Sequence, residues 1–199
     1  MNSDRLLKQI EFIVEIDKLK NVYRKSVLMD KSRLENDAEH TWHLSVMAIL
    51  LLEHANEPDL DLLRVLKMLL IHDLVEIDAG DTFAYDEKGH EDKYERELSA
   101  ARRLFGLLPE DQRDEFFALW REFEDRQSPE SQYAAALDRL QPMLHNYYTQ
   151  GYSWQKHGIT SDKVLNYNRH MQQGSEELWS FAQQLIHSAV AKGYLKEKE

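Results

Sequence analysis

The sequence contains no cysteine and little glycine or proline, and each scarcity excludes a class of protein. Without cysteine the chain has no disulfide, no thiolate zinc site and no cysteine nucleophile. Seven glycines and four prolines among 199 residues favour long helices over the many turns of β-sandwiches and barrels. No apolar run reaches the roughly 18 residues that a membrane-spanning helix needs.

Acidic residues outnumber basic ones by 36 to 25, which gives a formal net charge of −11. A negative surface repels polyanions, so we do not expect a nucleic-acid polymer as a partner. A small phosphate ester is still compatible, because a metal ion and one or two arginines reverse the field locally. The first residues, MNSDRLLKQIEF, carry charges where a signal peptide needs an apolar centre. We therefore expect a cytoplasmic protein with no membrane partner.

The hydrophobic pattern predicts an all-α fold, with residues 1–199 forming a single helical bundle. No segment shows strand alternation, and we expect residues 23–36 to form an ordered loop. Asp37 and Asp59 are the predicted N-caps of the second and third helices, and Gly80 is a predicted C-cap. The predicted helices are 4–21, 38–55, 60–77, 93–107, 110–125, 129–148 and 175–191, and residues 161–173 fit a further one.

The predicted third helix is apolar on nearly every side, in the stretch LLRVLKMLLIHDLVEI, so we expect it at the centre of the bundle. His72 and Asp73 lie within it, and Glu76 completes an arc of about 100°. An unpartnered buried carboxylate costs several kcal/mol. Asp73 must therefore be paired, protonated or bound to a metal. The helix alone leaves open a metal site or a structural His–Asp hydrogen bond.

Two other predicted core helices also carry an ionisable residue into apolar surroundings. His40 precedes the run LSVMAILLL, and Asp138 is the acid in AAALDRL. Two imidazoles and two carboxylates form a ligand set that suits Mn²⁺, Co²⁺, Ni²⁺, Zn²⁺ or Mg²⁺. We expect His40, His72, Asp73 and Asp138 to bind one divalent ion, with its remaining positions open to water and substrate.

The order His40, His72-Asp73, Asp138 resembles the HD-domain superfamily of metal-dependent phosphohydrolases. The stretches YRKS, ENDAEH, LIHDLVEIDAGD and LDRLQP are more specifically similar to the bacterial 5′-deoxyribonucleotidase group and its eukaryotic HD-domain-containing relatives. The similarity runs from about residue 10 to residue 154. It implies the same metal ligands as the residue pattern does.

The resemblance also implies roles for residues outside the ligand set. Glu76 would transfer protons, Asp81 would position water or substrate, and Arg24 would bind the phosphate. The chain departs from the bacterial group at Lys25, where an aromatic residue is associated with sugar selection. The loop between Arg24 and His40 is also about one residue longer than in that group. Selectivity for deoxyribose therefore does not follow from the resemblance.

The leading hypothesis is hydrolysis of (deoxy)ribonucleoside 5′-monophosphates to nucleoside and phosphate. One alternative keeps the site but changes the substrate, to a nucleoside triphosphate, a signalling nucleotide or another small phosphoester. The sequence shows no obvious lysine–arginine cluster for a long phosphate chain. A second alternative is a non-catalytic metal-binding sensor or scaffold, which would not need to keep Glu76 and Asp81. The apolar surface and the related enzymes suggest a homodimer.

Several further residues have simpler explanations than catalysis. His43 fits a supporting residue, and His145 fits an ordinary surface or partly buried histidine. Arg139 fits a counter-charge near Asp138, while Lys25 and Arg33 are weak phosphate-binding candidates. Glu35 and Asn36 would hold their loop against the site.

Overall fold

The computed structural model describes residues 2–198, with side chains from residue 4 onward. Its elements are α1 (Asn2–Ile16), β1 (Tyr23–Val27), β2 (Leu34–Asn36), α2 (Asp37–Leu50), α3 (Leu62–Ile71), α4 (Glu76–Ala79), α5 (Lys93–Phe105), α6 (Glu110–Asp125), α7 (Pro129–Tyr148), α8 (Tyr152–Lys156), α9 (Ser161–Asn168), α10 (Met171–Gly174) and α11 (Glu176–Ala191). Short 3₁₀ turns span Asp17–Asn21, Leu52–His54 and His72–Val75. The helical fold class is confirmed, whereas the single domain over residues 1–199 stays a prediction. No helix in the described range is long and apolar enough to cross a membrane.

The predicted loop at residues 23–36 is instead an antiparallel hairpin of β1 and β2. Tyr23 pairs with Asn36 and Val27 with Leu34, with an irregular register between them. These strands are too short to show alternation, and β1 buries the adjacent residues Ser26 and Val27. The hairpin places Arg24 beside the start of α2.

Two predicted helix caps are wrong by one or two positions. Asn36 caps α2, because its extended backbone lets the side chain accept a hydrogen bond from the Glu39 amide in a capping box. Asp37 is instead the first helical residue and is fully buried. The cap of α3 is Asp61, which accepts from the Arg64 amide at 3.1 Å, rather than Asp59.

The third helix is neither continuous nor central, contrary to the prediction. It ends at Ile71 and tightens into the 3₁₀ turn, and its outer side leaves Leu63 and Leu70 64% and 50% exposed. The central element is α7, which packs against α2, α3, α6, α10 and α11. Its residues Tyr133, Leu137 and Leu140 are almost completely buried. Burial of side chains this large contributes about 1.5–3 kcal/mol each, so α7 is a rigid base for Asp138.

Gly151 joins α7 to α8 in a conformation that other residues tolerate poorly. Its φ is +79°, and an added Cβ would lie 1.8 Å from the Tyr194 carbonyl oxygen. We expect Gly151→Ala to destabilise the protein by at least the ~1–3 kcal/mol of such backbone strain. Chemical denaturation measures this loss, with Gly158→Ala as control, since Gly158 also has a positive φ but no atom within 4 Å of the added Cβ. Equal losses in both variants would show that the clash contributes nothing.

Candidate metal and substrate site

Four predicted ligands from three elements converge in the interior. His40 comes from α2, His72 and Asp73 from the 3₁₀ turn, and Asp138 from α7; all are buried. His40 Nε2 lies 2.9 Å from Asp138 Oδ1 and 3.9 Å from Asp73 Oδ2. His72 Nε2 lies 3.0 Å from Asp73 Oδ1 and 3.8 Å from Asp138 Oδ1. Oxygens and nitrogens at adjacent positions around one octahedral ion are about 3 Å apart, so this spacing fits a single metal.

The hydrogen bonding of His72 supports the same assignment. Its Nδ1 donates to the Leu69 carbonyl at 2.9 Å, which leaves the lone pair on Nε2 in the neutral ring. Nε2 is buried, has no hydrogen-bond partner in the described part of the chain, and faces a carboxylate oxygen of Asp73. Two acceptors in contact repel each other unless a proton or a cation lies between them. The contact between His72 and Asp73 therefore favours a proton or a cation between the two side chains.

The pKa shifts at the two histidines agree with this picture. Burial lowers the pKa of His72, but Asp73 and Asp138 outweigh it and raise the pKa to about 9. Burial and the nearby Arg24 lower the pKa of His40 to about 4, so that ring is neutral and free to coordinate. Without a metal, a proton on His72 takes the place that a divalent cation would fill. The four side chains thus fit a divalent metal by both geometry and charge.

The 3₁₀ turn explains why Glu76 faces the same cavity as Asp73. In a 3₁₀ helix residues i and i+3 lie directly above one another, and α4 continues the turn from Glu76. Glu76 is buried, and its Oε2 has no hydrogen-bond partner among the described residues. Burial, followed by Asp73 and Asp37, raises the pKa of Glu76 well above its usual value. This is the environment of a carboxyl group that can hold a proton near neutral pH.

Asp81 lies in the same cleft, after the Gly80 cap. Gly80 adopts a φ of +75° and its amide closes α4 on the Glu76 carbonyl at 2.8 Å, as the sequence predicted. Burial raises the pKa of Asp81, against the opposing effect of Arg24. The Asp81 side chain thus interacts electrostatically with the charged groups of the site, and it lines the cleft.

Arg24 reaches the site from β1 and is held by carboxylates. Its Nη1 lies 3.3 Å from Asp37 Oδ1 and 3.3 Å from Asp73 Oδ2. No described residue accepts a hydrogen bond from Nη2, and Arg24 lines the cleft. Nη2 is therefore the atom that could meet a phosphate oxygen.

The role of Asp37 could not be recognised from the sequence. In place of a cap it is a fully buried partner of Arg24. Burial and Asp73 raise the pKa of Asp37 to about 7. The only sequence feature that sets Asp37 apart is its position in ENDAEH, next to Asn36, which supplies the helix cap.

The site opens into a cleft with a cavity volume of about 100 Å³, which continues into open solvent at its mouth. One wall is aromatic: Phe83 and Tyr85 meet at a ring-centroid distance of 5.4 Å, and Tyr85 and Tyr167 at 5.4 Å. Tyr167 also lies under the Arg139 guanidinium, 4.9 Å from its ring centroid. A flat, partly apolar group such as a nucleobase could pack there.

The fold assembles cationic side chains that look scattered in the sequence. Lys25, Lys93 and Arg139 line the cleft together with Arg24. Lys93 pairs with Glu97 at 3.0 Å, and Arg139 pairs with Asp138 at 3.2 Å, as the counter-charge interpretation predicted. Six carboxylates line the same cleft, so these cations do not make it basic overall, and the expectation of no basic cluster stays a prediction.

Comparison of the sequence with known protein families assigns the chain to one of them. A family model described as HD domain matches residues 16–179, most of the chain. The chain belongs to the HD-domain family. The resemblance seen in the motifs is thereby confirmed.

Similar proteins include one with an enzyme's name and two with solved structures. Human 5′-deoxynucleotidase HDDC2 is 31% identical over 136 residues, which cover 68% of this chain and 65% of the human protein. The chain thus spans slightly less than two thirds of that relative. A predicted metal-dependent phosphohydrolase from Magnetospirillum magnetotacticum MS-1 is 52% identical, with 98% of each chain covered and a TM-score of 0.94. The PH0347 protein from Pyrococcus horikoshii OT3, 22% identical with a TM-score of 0.60, shares the fold.

Proposed function

We propose that this HD-domain protein is a metal-dependent phosphohydrolase of (deoxy)ribonucleoside 5′-monophosphates. The observation that carries the proposal is the meeting of two imidazoles and two carboxylates within 2.9–3.9 Å at the base of an open cleft. The human relative named 5′-deoxynucleotidase supports a nucleotide substrate. The aromatic wall and Arg24 give the cleft one surface for a base and one for a phosphate.

The residues divide the work of phosphate ester cleavage. His40, His72, Asp73 and Asp138 would hold the ion, which when bound would polarise the phosphoryl group and acidify water. Arg24 would orient the phosphate through Nη2, while Asp37 and Asp73 fix its Nη1. Glu76 would accept a proton from the attacking water or give one to the leaving 5′-oxygen. Asp81 would orient water or substrate at the cleft side.

Phosphate release from a panel of ribo- and deoxyribonucleoside monophosphates tests the proposal. Parallel reactions contain Mn²⁺, Co²⁺, Ni²⁺, Zn²⁺, Mg²⁺ or excess chelator, because the ligand set suits all five ions. We expect chelator-sensitive release of orthophosphate. The ratio of deoxy to ribo rates shows whether Lys25 accompanies relaxed sugar choice. Metal binding without release from any monophosphate would contradict the proposal.

One basic residue of the cleft, Lys25, gives a specific reason to include longer phosphate chains. Lys25 lines the cleft with Arg24 and, unlike Lys93 and Arg139, forms no ion pair with a described residue. Nucleoside triphosphates therefore belong in the same panel. Orthophosphate, pyrophosphate or triphosphate as product identifies which bond is cut. Faster release of pyrophosphate or triphosphate than of orthophosphate would favour this second candidate.

Exposed apolar side chains on α2 and α3 support the proposal of a homodimer. Trp42, Ile49 and Leu50 are 65%, 57% and 68% exposed, and the adjoining α3 exposes Leu63. Trp42 and Ile49 are about two turns apart and lie on one side of α2. Exposed apolar surface commonly marks an interface. The cytoplasmic location expected from the sequence also stays a proposal, which fractionation of cells expressing the chain would test.

We expect Ile49→Lys to convert the dimer to monomers, because a lysine on each copy would bring charge into the apolar contact. Light scattering during size-exclusion chromatography measures the mass, which for the parent protein should be twice that of one chain. Phe181→Lys on α11 is the control, since Phe181 is also exposed, at 47%. A monomeric parent protein, or a dimer that Ile49→Lys leaves intact, would contradict this interface.

A further inference from the structure

Glu35 is a buried carboxylate behind the proposed metal ligands that the mechanism above does not use. It lies on β2 and is 1% exposed. Its Oε1 accepts a hydrogen bond from Gln141 Nε2 on α7 at 2.6 Å. Its Oε2 is buried and has no hydrogen-bond partner among the described residues. One oxygen is thus anchored and the other points toward the site.

Two buried side-chain nitrogens face that second oxygen. His40 Nδ1 lies 3.9 Å from Glu35 Oε2, and Arg24 Nε lies 3.8 Å from it. Neither nitrogen has a hydrogen-bond partner within residues 4–198. A movement of roughly 1 Å would bring either nitrogen into hydrogen-bond range. A metal on His40 Nε2 would leave the ring proton on Nδ1, so both nitrogens would then be buried donors, and the cost of an unpaired buried donor favours such closure.

Glu35 lies in a buried hydrogen-bond network around Gln141. Glu35, His43 and His145 present ligand-type atoms within 4.8 Å of one another, which would suit a second cation. Gln141 Nε2, however, lies among them, 2.6 Å from Glu35 Oε1, 3.0 Å from His145 Nε2 and 3.4 Å from His43 Nδ1. His145 Nδ1 in turn donates to the Val27 carbonyl of β1 at 3.0 Å. His145 is also buried, contrary to the sequence prediction, and its hydrogen bond connects α7 to the hairpin.

We propose that Glu35 is a positioning residue that holds both His40 and Arg24 through one carboxylate oxygen. Metal-bound histidines usually donate their other ring N–H to a carboxylate or carbonyl, which fixes the ring and strengthens the ligand. Here the same oxygen also faces the arginine that would bind phosphate. Glu35 thereby links metal binding to phosphate binding. The inference rests on the proposed metal-dependent function.

The test compares Glu35→Gln with the parent protein after chelator treatment. An amide offers only one oxygen, so it can no longer serve Gln141 on one side and His40 with Arg24 on the other. Isothermal titration with Mn²⁺ should show a dissociation constant raised about 10- to 100-fold, the usual effect of losing such a partner. At saturating Mn²⁺ the KM for the nucleotide should also rise, because Arg24 is less well held. Gln141→Leu should weaken Mn²⁺ binding in the same direction but less, since the carboxyl group of Glu35 still faces His40 and Arg24.

The matched control is Glu39→Gln, on the same chain segment. Glu39 faces outward and pairs with Arg33 at 2.5 Å, so its variant should bind Mn²⁺ as the parent does. A merely structural role for Glu35 would lower thermal stability and leave the Mn²⁺ dissociation constant and KM unchanged, which would overturn the inference. Two Mn²⁺ ions per parent chain and one in Glu35→Gln would also overturn it, because Glu35 would then be a ligand. A parent protein that binds no Mn²⁺ contradicts the proposed function itself.

Discussion

Replacing Asp73 with alanine is expected to abolish metal binding and phosphate release together. Asp73 faces His72 Nε2 at 3.0 Å and also bonds Arg24 at 3.3 Å, so its loss removes a ligand and frees the phosphate-binding arginine. A catalytic metal contributes several kcal/mol to the reaction. This corresponds to a fall in kcat/KM of about 10³-fold or more. Metal analysis of the purified variant and a phosphate-release assay measure the two losses.

The control for this variant is Asp78→Ala, five residues further along. Asp78 is paired with Arg103 outside the cleft, so its loss should leave metal content and kcat/KM near the parent values. Circular dichroism of both variants checks that they are folded. If Asp73→Ala kept full metal content and full activity, the assignment of the ligand set would be wrong.

Replacing Glu76 with glutamine is expected to keep the metal and remove turnover. Burial, followed by Asp73 and Asp37, raises the pKa of Glu76 well above its usual value, so glutamine matches the size and neutrality of its protonated form. It cannot exchange a proton, and a positioned acid–base group contributes about 10²–10⁴-fold to rate. We therefore expect kcat to fall by that factor while metal content and substrate KM change little.

The two variants distinguish ligation from proton transfer. Asp73→Ala loses metal and activity, whereas Glu76→Gln loses activity alone. A Glu76→Gln protein purified without metal would instead make Glu76 a ligand. A variant with the parent kcat would remove Glu76 from the mechanism.

Helices whose starts carry strong local signals were predictable to the residue. Both α6 and α7 match their predicted bounds, because Pro109 and Ser128-Pro129 mark where each begins. The hairpin was not predictable, since strands of five and three residues carry almost no periodic signal. The end of α3 at Ile71 was also not predictable, because an α-helix and a 3₁₀ turn can have the same apolar pattern.

The sequence was sufficient to suggest the ligand set but not its supporting residues. His40, His72, Asp73 and Asp138 stood out as polar groups in apolar runs, and the structure brings all four together. Asp37 did not, because its local context also fits a cap and only the approach of Arg24 from β1 reveals its partner. The contribution of Glu35 likewise depends on α7, more than 100 residues away in sequence.

The most direct test of the central claim is a titration of chelator-treated protein with Mn²⁺ during phosphate release from a nucleoside monophosphate. Bound metal and rate are followed in the same sample. The account predicts no release before metal is added, and a rate that rises in proportion to bound metal and levels off at one ion per chain. Full activity in the chelator-treated protein, or one bound ion per chain with no release from any phosphoester, would contradict it.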